Sequence, residues 1–350
     1  MSDIVLYRKY RPKNFKEVLG QEHIVKILEG ALARDSISHA YLFSGPRGTG
    51  KTSVARIFAT ALGVSGNDLY EIDAASNRGI DDIRLLREGV AILPFESPYK
   101  VYIVDEAHML TKEAWNALLK TLEEPPRHVI FIFATTEIEK VPETILSRCE
   151  SHSFRQPGRD ALRKVAISVA KKEGFHISEP SAELVALLSE GSFRDCYGIL
   201  QKIMGVSSDR MITDEEIADI AGAPRLGIVN DFVKAIHDRN VSTALRAVHK
   251  VSEGGGDIKV FFKLALERIR LVLLLRFAPA DFGEEIKKEL SEEDFVLISG
   301  FASTKTSGID TFSLITLLHA YDFVGRSIIP ALPIEVAVVK LFGENIKEVK

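Results

Sequence analysis

Gly45-Pro46-Arg47-Gly48-Thr49-Gly50-Lys51-Thr52 carries the pattern G-x-x-x-x-G-K-[ST]. Glycines at these spacings let the backbone wrap closely, so that amide N–H groups can face phosphate oxygens. A helix starting at Lys51 would add the positive end of its dipole. Lys51 would reach the β- and γ-phosphates, and the Thr52 hydroxyl would hold Mg2+. Further on, Val101-Tyr102-Ile103-Val104-Asp105-Glu106 is an apolar run that ends in two acids. A carboxylate at the tip of a parallel strand stands at the ligand-binding edge of a sheet. There Asp105 would support Mg2+, and Glu106 would orient or deprotonate an attacking water. The chemistry these residue types suit is hydrolysis of a nucleoside triphosphate.

Such a site needs a parallel sheet beneath it. The sequence predicts strands over His39–Ser44, Asp68–Asp73, Lys100–Asp105, Val129–Ala134 and Ser151–Phe154, each short, apolar and often β-branched. Helical patterns fill the gaps, as in Lys51–Leu62 and in Lys112–Leu122, which Pro125-Pro126 stops. This alternation predicts an α/β domain with a five-stranded parallel sheet and helices on both faces over 1–156. After Pro157 no strand is expected. Residues 157–222 read as four short helices, including Arg159–Lys172 and Pro180–Ser189, and 223–342 as a larger helical domain with a tail over 343–350. Ala223-Pro224 marks the boundary between them.

Composition narrows the class. The 350 residues are 46% hydrophobic and 27% charged, the balance of a soluble globular protein. The longest apolar stretch, Ile269–Phe277, is broken by Arg270 and Arg276 and is far short of the ~18 residues that span a bilayer. With no signal-peptide pattern and only Cys149 and Cys196 as thiols, a cytoplasmic protein without a membrane partner is expected. A net charge of −4 means that any nucleic-acid surface must be local.

The motif residues also carry a family resemblance. Asp105-Glu106-Ala107-His108-Met109-Leu110 and Asn116-Ala117-Leu118-Leu119-Lys120-Thr121-Leu122-Glu123-Glu124-Pro125-Pro126 resemble the gamma/tau subunit of the bacterial DNA polymerase III clamp loader, an AAA+ ATPase. So do Tyr7-Arg8-Lys9-Tyr10-Arg11-Pro12, Leu19-Gly20-Gln21, Asp73-Ala74-Ala75-Ser76 and Ser147-Arg148-Cys149, with matching segments from about residue 7 to 200. Leu332-Pro333-Ile334-Glu335 fits that family's helical collar, which would follow the helical lid. The resemblance implies a P-loop AAA+ fold and a pentameric loader. With ATP and Mg2+, such a loader opens a sliding clamp and places it on primer-template DNA during replication. The other loader subunits, the clamp, the DNA and the polymerase core would be its partners. Two alternatives stay open: a nucleotide-binding scaffold subunit of the loader, or another DNA-remodelling AAA+ ATPase.

By the same resemblance, Arg148 looks like an arginine finger directed at ATP on the neighbouring subunit. Thr136, of the pair Thr135-Thr136, looks like the sensor of the γ-phosphate or water, and Arg194 like a second sensor on the lid. Tyr10, Arg11, Pro12 and Val18 resemble the adenine pocket. Arg78 and Arg84, with Arg87, are candidates for following DNA phosphates. His39, His108 and His128 lack metal-ligand spacing and read as structural. Many family members carry a four-cysteine zinc module after the P-loop helix. Here Ala61-Leu62-Gly63-Val64-Ser65-Gly66-Asn67 runs almost directly into the next strand, so no zinc site is expected. The chain also ends after the collar-like region, which resembles the gamma form or a truncated tau.

Overall fold

The computed structural model describes residues 5–343, apart from 78, 223, 279–282, 285, 288, 289, 291 and 305. Arg78, Ala223 and the tail beyond Gly343 therefore lie outside the described residues. Two compact units emerge: Met1–Ala161 with Gly191–Tyr197, and Leu162–Glu190 with Gly198–Lys350.

The first unit begins with α1 (Leu6–Lys9) and α2 (Glu22–Ala33), then alternates β1 (Ala40–Ser44), α3 (Lys51–Ala61), β2 (Leu69–Asp73), α4 (Ile80–Val90), β3 (Lys100–Asp105), α5 (Lys112–Glu123), β4 (Val129–Thr135), α6 (Glu143–Leu146) and β5 (Glu150–Ser153). The five strands form one sheet in the order β2-β3-β4-β1-β5, and every pairing is parallel. Parallel neighbours cannot be joined by tight hairpins, so helices carry the crossovers.

Successive strand residues face opposite sides. On one side Tyr41, Phe43, Val101, Ile103, Ile130 and Ile132 pack against Ile24 and Leu28 of α2 and Val54 and Phe58 of α3. On the other, Leu42, Tyr102, Val104, Phe131 and Phe133 pack against Ile83 and Leu86 of α4 and Trp115, Leu118 and Leu122 of α5. Burying each large side chain contributes about 1.5–3 kcal/mol. The two apolar faces thereby fix the sheet and, with it, the loops at the strands' C-terminal ends. Thr111 caps α5 by accepting a hydrogen bond from the Ala114 amide.

The second unit is helical: α7 (Arg159–Lys172) apart from its first turn, α8 (Glu179–Leu188), the later turns of α9 (Phe193–Val206), α10 (Asp214–Ala221), α11 (Leu226–His237), α12 (Val241–Glu253), α13 (Ile258–Phe277), α14 (Glu292–Ser303), α15 (Thr311–Val324) and α16 (Leu332–Phe342). Phe232, Phe261, Phe262, Ile269, Leu317 and Val338 lie at the centre of its core. One expectation fails here. β6 (His176–Ile177) and β7 (Met211–Ile212) pair in parallel where no strand was foreseen. Two residues are too few to show a period-2 pattern in sequence. At the sheet, β4 runs one residue further than expected, to Thr135, and β5 sits one residue earlier. Among the described residues no helix is long and apolar enough to cross a membrane.

Candidate nucleotide site

The segment Gly45–Gly50 joins β1 to α3, with Gly45, Gly48 and Gly50 all at positive φ. A Cβ on Gly48 would stand 1.9 Å from Ser192 Oγ, whereas one on Gly50 would meet nothing within 4 Å. The loop is thus packed at Gly48 and open at Gly50, and the open side leaves room for a ligand. Lys51 is 7% exposed, and its ammonium donates to the carbonyls of Gly45 and Pro46, at 2.7 and 2.8 Å. Burial lowers the Lys51 pKa, and the nearby carboxylates of Glu106 and Asp105 oppose that shift. The cation is held inside the loop, where phosphate oxygens would replace its carbonyl partners.

Gly48→Ala should cost about 1–2 kcal/mol for the left-handed backbone alone, and displacing Ser192 should add to it. Thermal melting should show this as a lowered Tm. Gly66→Ala, where φ is not positive and a Cβ meets nothing within 4 Å, should shift stability by less than about 0.5 kcal/mol.

β3 ends beside this loop. The Thr52 hydroxyl donates to Asp105 Oδ2 at 2.7 Å, and Asp105 Oδ1 accepts the Glu106 amide at 3.0 Å. A hydroxyl against a carboxylate is a hard-oxygen pair of the kind that holds Mg2+ together with water and substrate phosphates, so these residues fit that ion. Among the described residues no group of three or more His, Cys, Asp or Glu side chains could hold a metal. Glu106 sits at φ 49°, ψ 43°, a left-handed conformation that turns the chain sharply after the strand. The Thr136 hydroxyl, one residue past β4, donates to Glu106 Oε2 at 3.4 Å. Thr135 is buried and its carbonyl accepts the Gly45 amide.

Three residues given no site role in the sequence stand here. His108 lies between Glu106, Thr135 and Glu137. Gln21, fully buried, donates to the Arg155 carbonyl at 2.7 Å and accepts the Arg155 amide at 3.1 Å, while its amide also approaches the Thr49 carbonyl at 3.4 Å. Ser192 abuts Gly48, and the Phe193 amide donates to the Gly48 carbonyl at 3.0 Å. Gln21 belongs to the segment Leu19-Gly20-Gln21. Only the tertiary fold brings Ser192 to the loop.

The remaining candidates are placed as follows. Arg194, on the first turn of α9, stands over the Tyr7 ring at 5.2 Å, and Tyr10 stacks on Tyr197. Burial lowers the Arg11 pKa, and Arg56, Arg194 and Arg8 press the same way against the pull of Glu71. Pro12 is half-buried, and Val18 packs on the core face that holds α2 and α3. Pro46 and Arg47 are exposed at the loop tip. Arg84 lies on the exposed side of α4, as does Arg87. Arg148 donates to Glu123 at 2.7 Å, to the Thr144 carbonyl at 2.6 Å and to Ser147 Oγ at 3.2 Å. It precedes β5, whose first residue, Glu150, is in register with Tyr41 near the start of β1. Arg148 is therefore at the opposite end of the sheet from Gly45.

Both the fold and the sequence have relatives among known proteins. The Thermotoga maritima RuvB Holliday junction branch migration motor superposes with a TM-score of 0.53 at 21% identity, covering 65% of this chain and 79% of that one, a likeness of fold. The fold is the P-loop AAA+ fold, followed by helical segments. Residues 20–69 and 65–158 match the family described as DNA polymerase III, delta subunit. Residues 212–348 match the one described as DNA polymerase III subunits gamma and tau domain III. The DNA polymerase III subunit tau of Bacillus subtilis is 40% identical over 321 residues, which cover 84% of this chain and 57% of that one. The gamma/tau subunit of Mycobacterium tuberculosis strain H37Rv is 40% identical over 299 residues, covering 79% and 52%. The chain thus spans little more than half the length of these relatives. With the phosphate-loop unit and the C-terminal helices each matched separately, and the identity running through both, the chain belongs to the family of bacterial DNA polymerase III gamma and tau subunits.

Proposed function

We propose that the chain is an ATP-hydrolysing motor subunit of a clamp loader, working within a hetero-oligomer that opens a sliding clamp and sets it on primer-template DNA. The observation that carries this reading is the meeting of Lys51, Thr52, Asp105 and Glu106 at one edge of the sheet, in a chain of this family. Amide groups of residues 45–50 and the Lys51 ammonium would hold the phosphates, while the stretch around Tyr10, Arg11, Pro12 and Val18 would receive the adenine. Thr52 and Asp105 would hold Mg2+, which would neutralise phosphate charge. Glu106 accepts a proton as the water oxygen bonds to the γ-phosphorus and the bridging P–O bond breaks, releasing ADP. Thr136 would steady that carboxylate, Arg194 would contact the phosphates, and Arg148 would act on the nucleotide of the adjoining subunit.

Partner binding has its own support in the second unit. Phe312, Ile315 and Leu318 of α15 and Val336 and Val339 of α16 are exposed, and a groove of about 500 Å³ runs between Phe323, Leu332 and Val336. An apolar face of this kind suits packing against other loader subunits. Arg84 on α4, with Arg78, would follow DNA phosphates. Such work would take place in the cytoplasm, with the polymerase core as a further partner. The test is ATP hydrolysis by the chain assembled with companion subunits. The rate should rise on adding clamp and primed DNA, and Lys51→Ala should abolish both nucleotide binding and clamp loading. Normal loading by Lys51→Ala would favour a scaffold role instead.

A further inference from the structure

Glu106 is weakly held for a residue on which proton transfer depends. Its side chain is 38% exposed, and its hydrogen bond from Thr136 is long, at 3.4 Å. A free glutamate loses up to about 2 kcal/mol of rotamer entropy when fixed, so one marginal bond does little to choose its position. The group beside it is His108, two residues on, whose side chain is only 8% exposed. Its Nδ1 faces two oxygens, Thr135 Oγ1 at 3.1 Å and Glu106 Oε2 at 3.6 Å. Its Nε2 stands 3.3 Å from Glu137 Oε1.

Both outer partners are themselves anchored. The Thr135 hydroxyl accepts the Glu137 amide at 3.0 Å, so its own proton is free to point at the ring. The Lys140 ammonium donates to Glu137 at 2.7 Å and holds its carboxyl below the usual range. An anionic Glu137 draws an N–H onto Nε2, which fixes the plane of the ring and leaves the Nδ1 lone pair to accept the Thr135 hydroxyl beside Glu106. The imidazole is thus a rigid wall, pinned from the strand end, along one side of the Glu106 carboxylate.

Resting on the reading of Glu106 given above, we propose that His108 is a positioning residue for Glu106, a ring pinned to the end of β4 through Thr135 and Glu137 that confines the carboxylate handling the attacking water. A carboxylate free to drift by about 1 Å forfeits on the order of 10²-fold in rate. The partners of His108 are Glu106 and the segment 135–137, not the phosphate loop, so nucleotide affinity should not depend on it.

The experiment compares His108→Ala, His108→Asn and His108→Gln in the assembled loader with clamp and primed DNA. It measures kcat at saturating ATP and, separately, the affinity for a fluorescent ATP analogue. The amide nitrogen of glutamine overlies Nε2 and keeps a donor for Glu137, whereas that of asparagine overlies Nδ1, where the ring accepts. His108→Ala should lower kcat by about 10- to 100-fold with affinity unchanged. His108→Gln should recover most of the loss, and His108→Asn should recover clearly less. An unchanged kcat in His108→Ala, or recovery by Asn that equals that by Gln, overturns the proposal. The Asn and Gln variants decide it even if alanine does not fold. Glu106→Gln is measured alongside. If turnover survives that change, the reading of Glu106 fails and the proposal with it. Turnover lost there but kept in His108→Ala removes the proposal alone.

Discussion

Replacing Glu106 by glutamine is expected to lower kcat for ATP hydrolysis by about 10²- to 10⁴-fold, the usual worth of a positioned general base. Glutamine preserves volume and can still accept the Thr136 hydroxyl through its amide oxygen, so the turn after β3 should survive. What it removes is the group that takes the proton from water. It also removes one of the two negative charges that oppose the effect of burial on Lys51, the other being Asp105. Glu106→Gln leaves residues 45–52 and Asp105 in place, so nucleotide should bind about as tightly as before. The check is a paired measurement of kcat and of nucleotide Kd. A tight-binding, inactive variant is the expected result. A kcat within threefold of the parent would mean that another group activates the water.

Arg148→Ala is expected to do at least as much, by about 10³- to 10⁵-fold, as loss of an arginine finger does in related phosphoryl transfer. The reason lies in the register of the sheet. Glu150 pairs with Tyr41 and Ser153 with Ser44, so the strands run the same way and Arg148 belongs to the end where β1 begins. Gly45 follows the end where β1 stops. The five residues of β1, at about 3.3 Å each, lie between them, a span that an arginine side chain cannot bridge. If Arg148 acts on ATP, it acts on another subunit's. Its contacts with Glu123, Thr144 and Ser147 tie it to α5 and α6 and hold the guanidinium in a defined place. Nucleotide affinity of the isolated chain should be unchanged by the substitution, and only the assembled loader should lose turnover. An equal loss in isolated chain and assembly would argue that Arg148 serves its own fold instead.

The sequence shows some of this plainly and hides the rest. Gly45–Thr52 is legible as the turn from β1 into α3 because its glycines and the Lys-Thr pair that follows are contiguous. The five sheet strands are legible because both faces are covered, which makes each a short apolar run such as Val101–Val104. Asp105 and Glu106 follow from one of those runs ending in acids. His108 is different. Its spacing suits no metal, and its partners Thr135 and Glu137 are placed beside it only by the β3–β4 pairing. Ser192 is likewise brought to Gly48 from more than a hundred residues away along the chain. The short β6–β7 pair is invisible for want of length. The hold of Glu123 on Arg148 could not be read either, since an exposed arginine has many carboxylates within reach and sequence does not choose among them.

The most direct test is complementation by mixing. Chains carrying Glu106→Gln and chains carrying Arg148→Ala should each give assemblies with little ATP hydrolysis. Assembled together with the companion subunits, they should regain activity at junctions where an intact Glu106 faces an intact Arg148 from the neighbour. Mixtures no more active than either variant alone, or Arg148→Ala assemblies that hydrolyse ATP at the parent rate, would contradict the account.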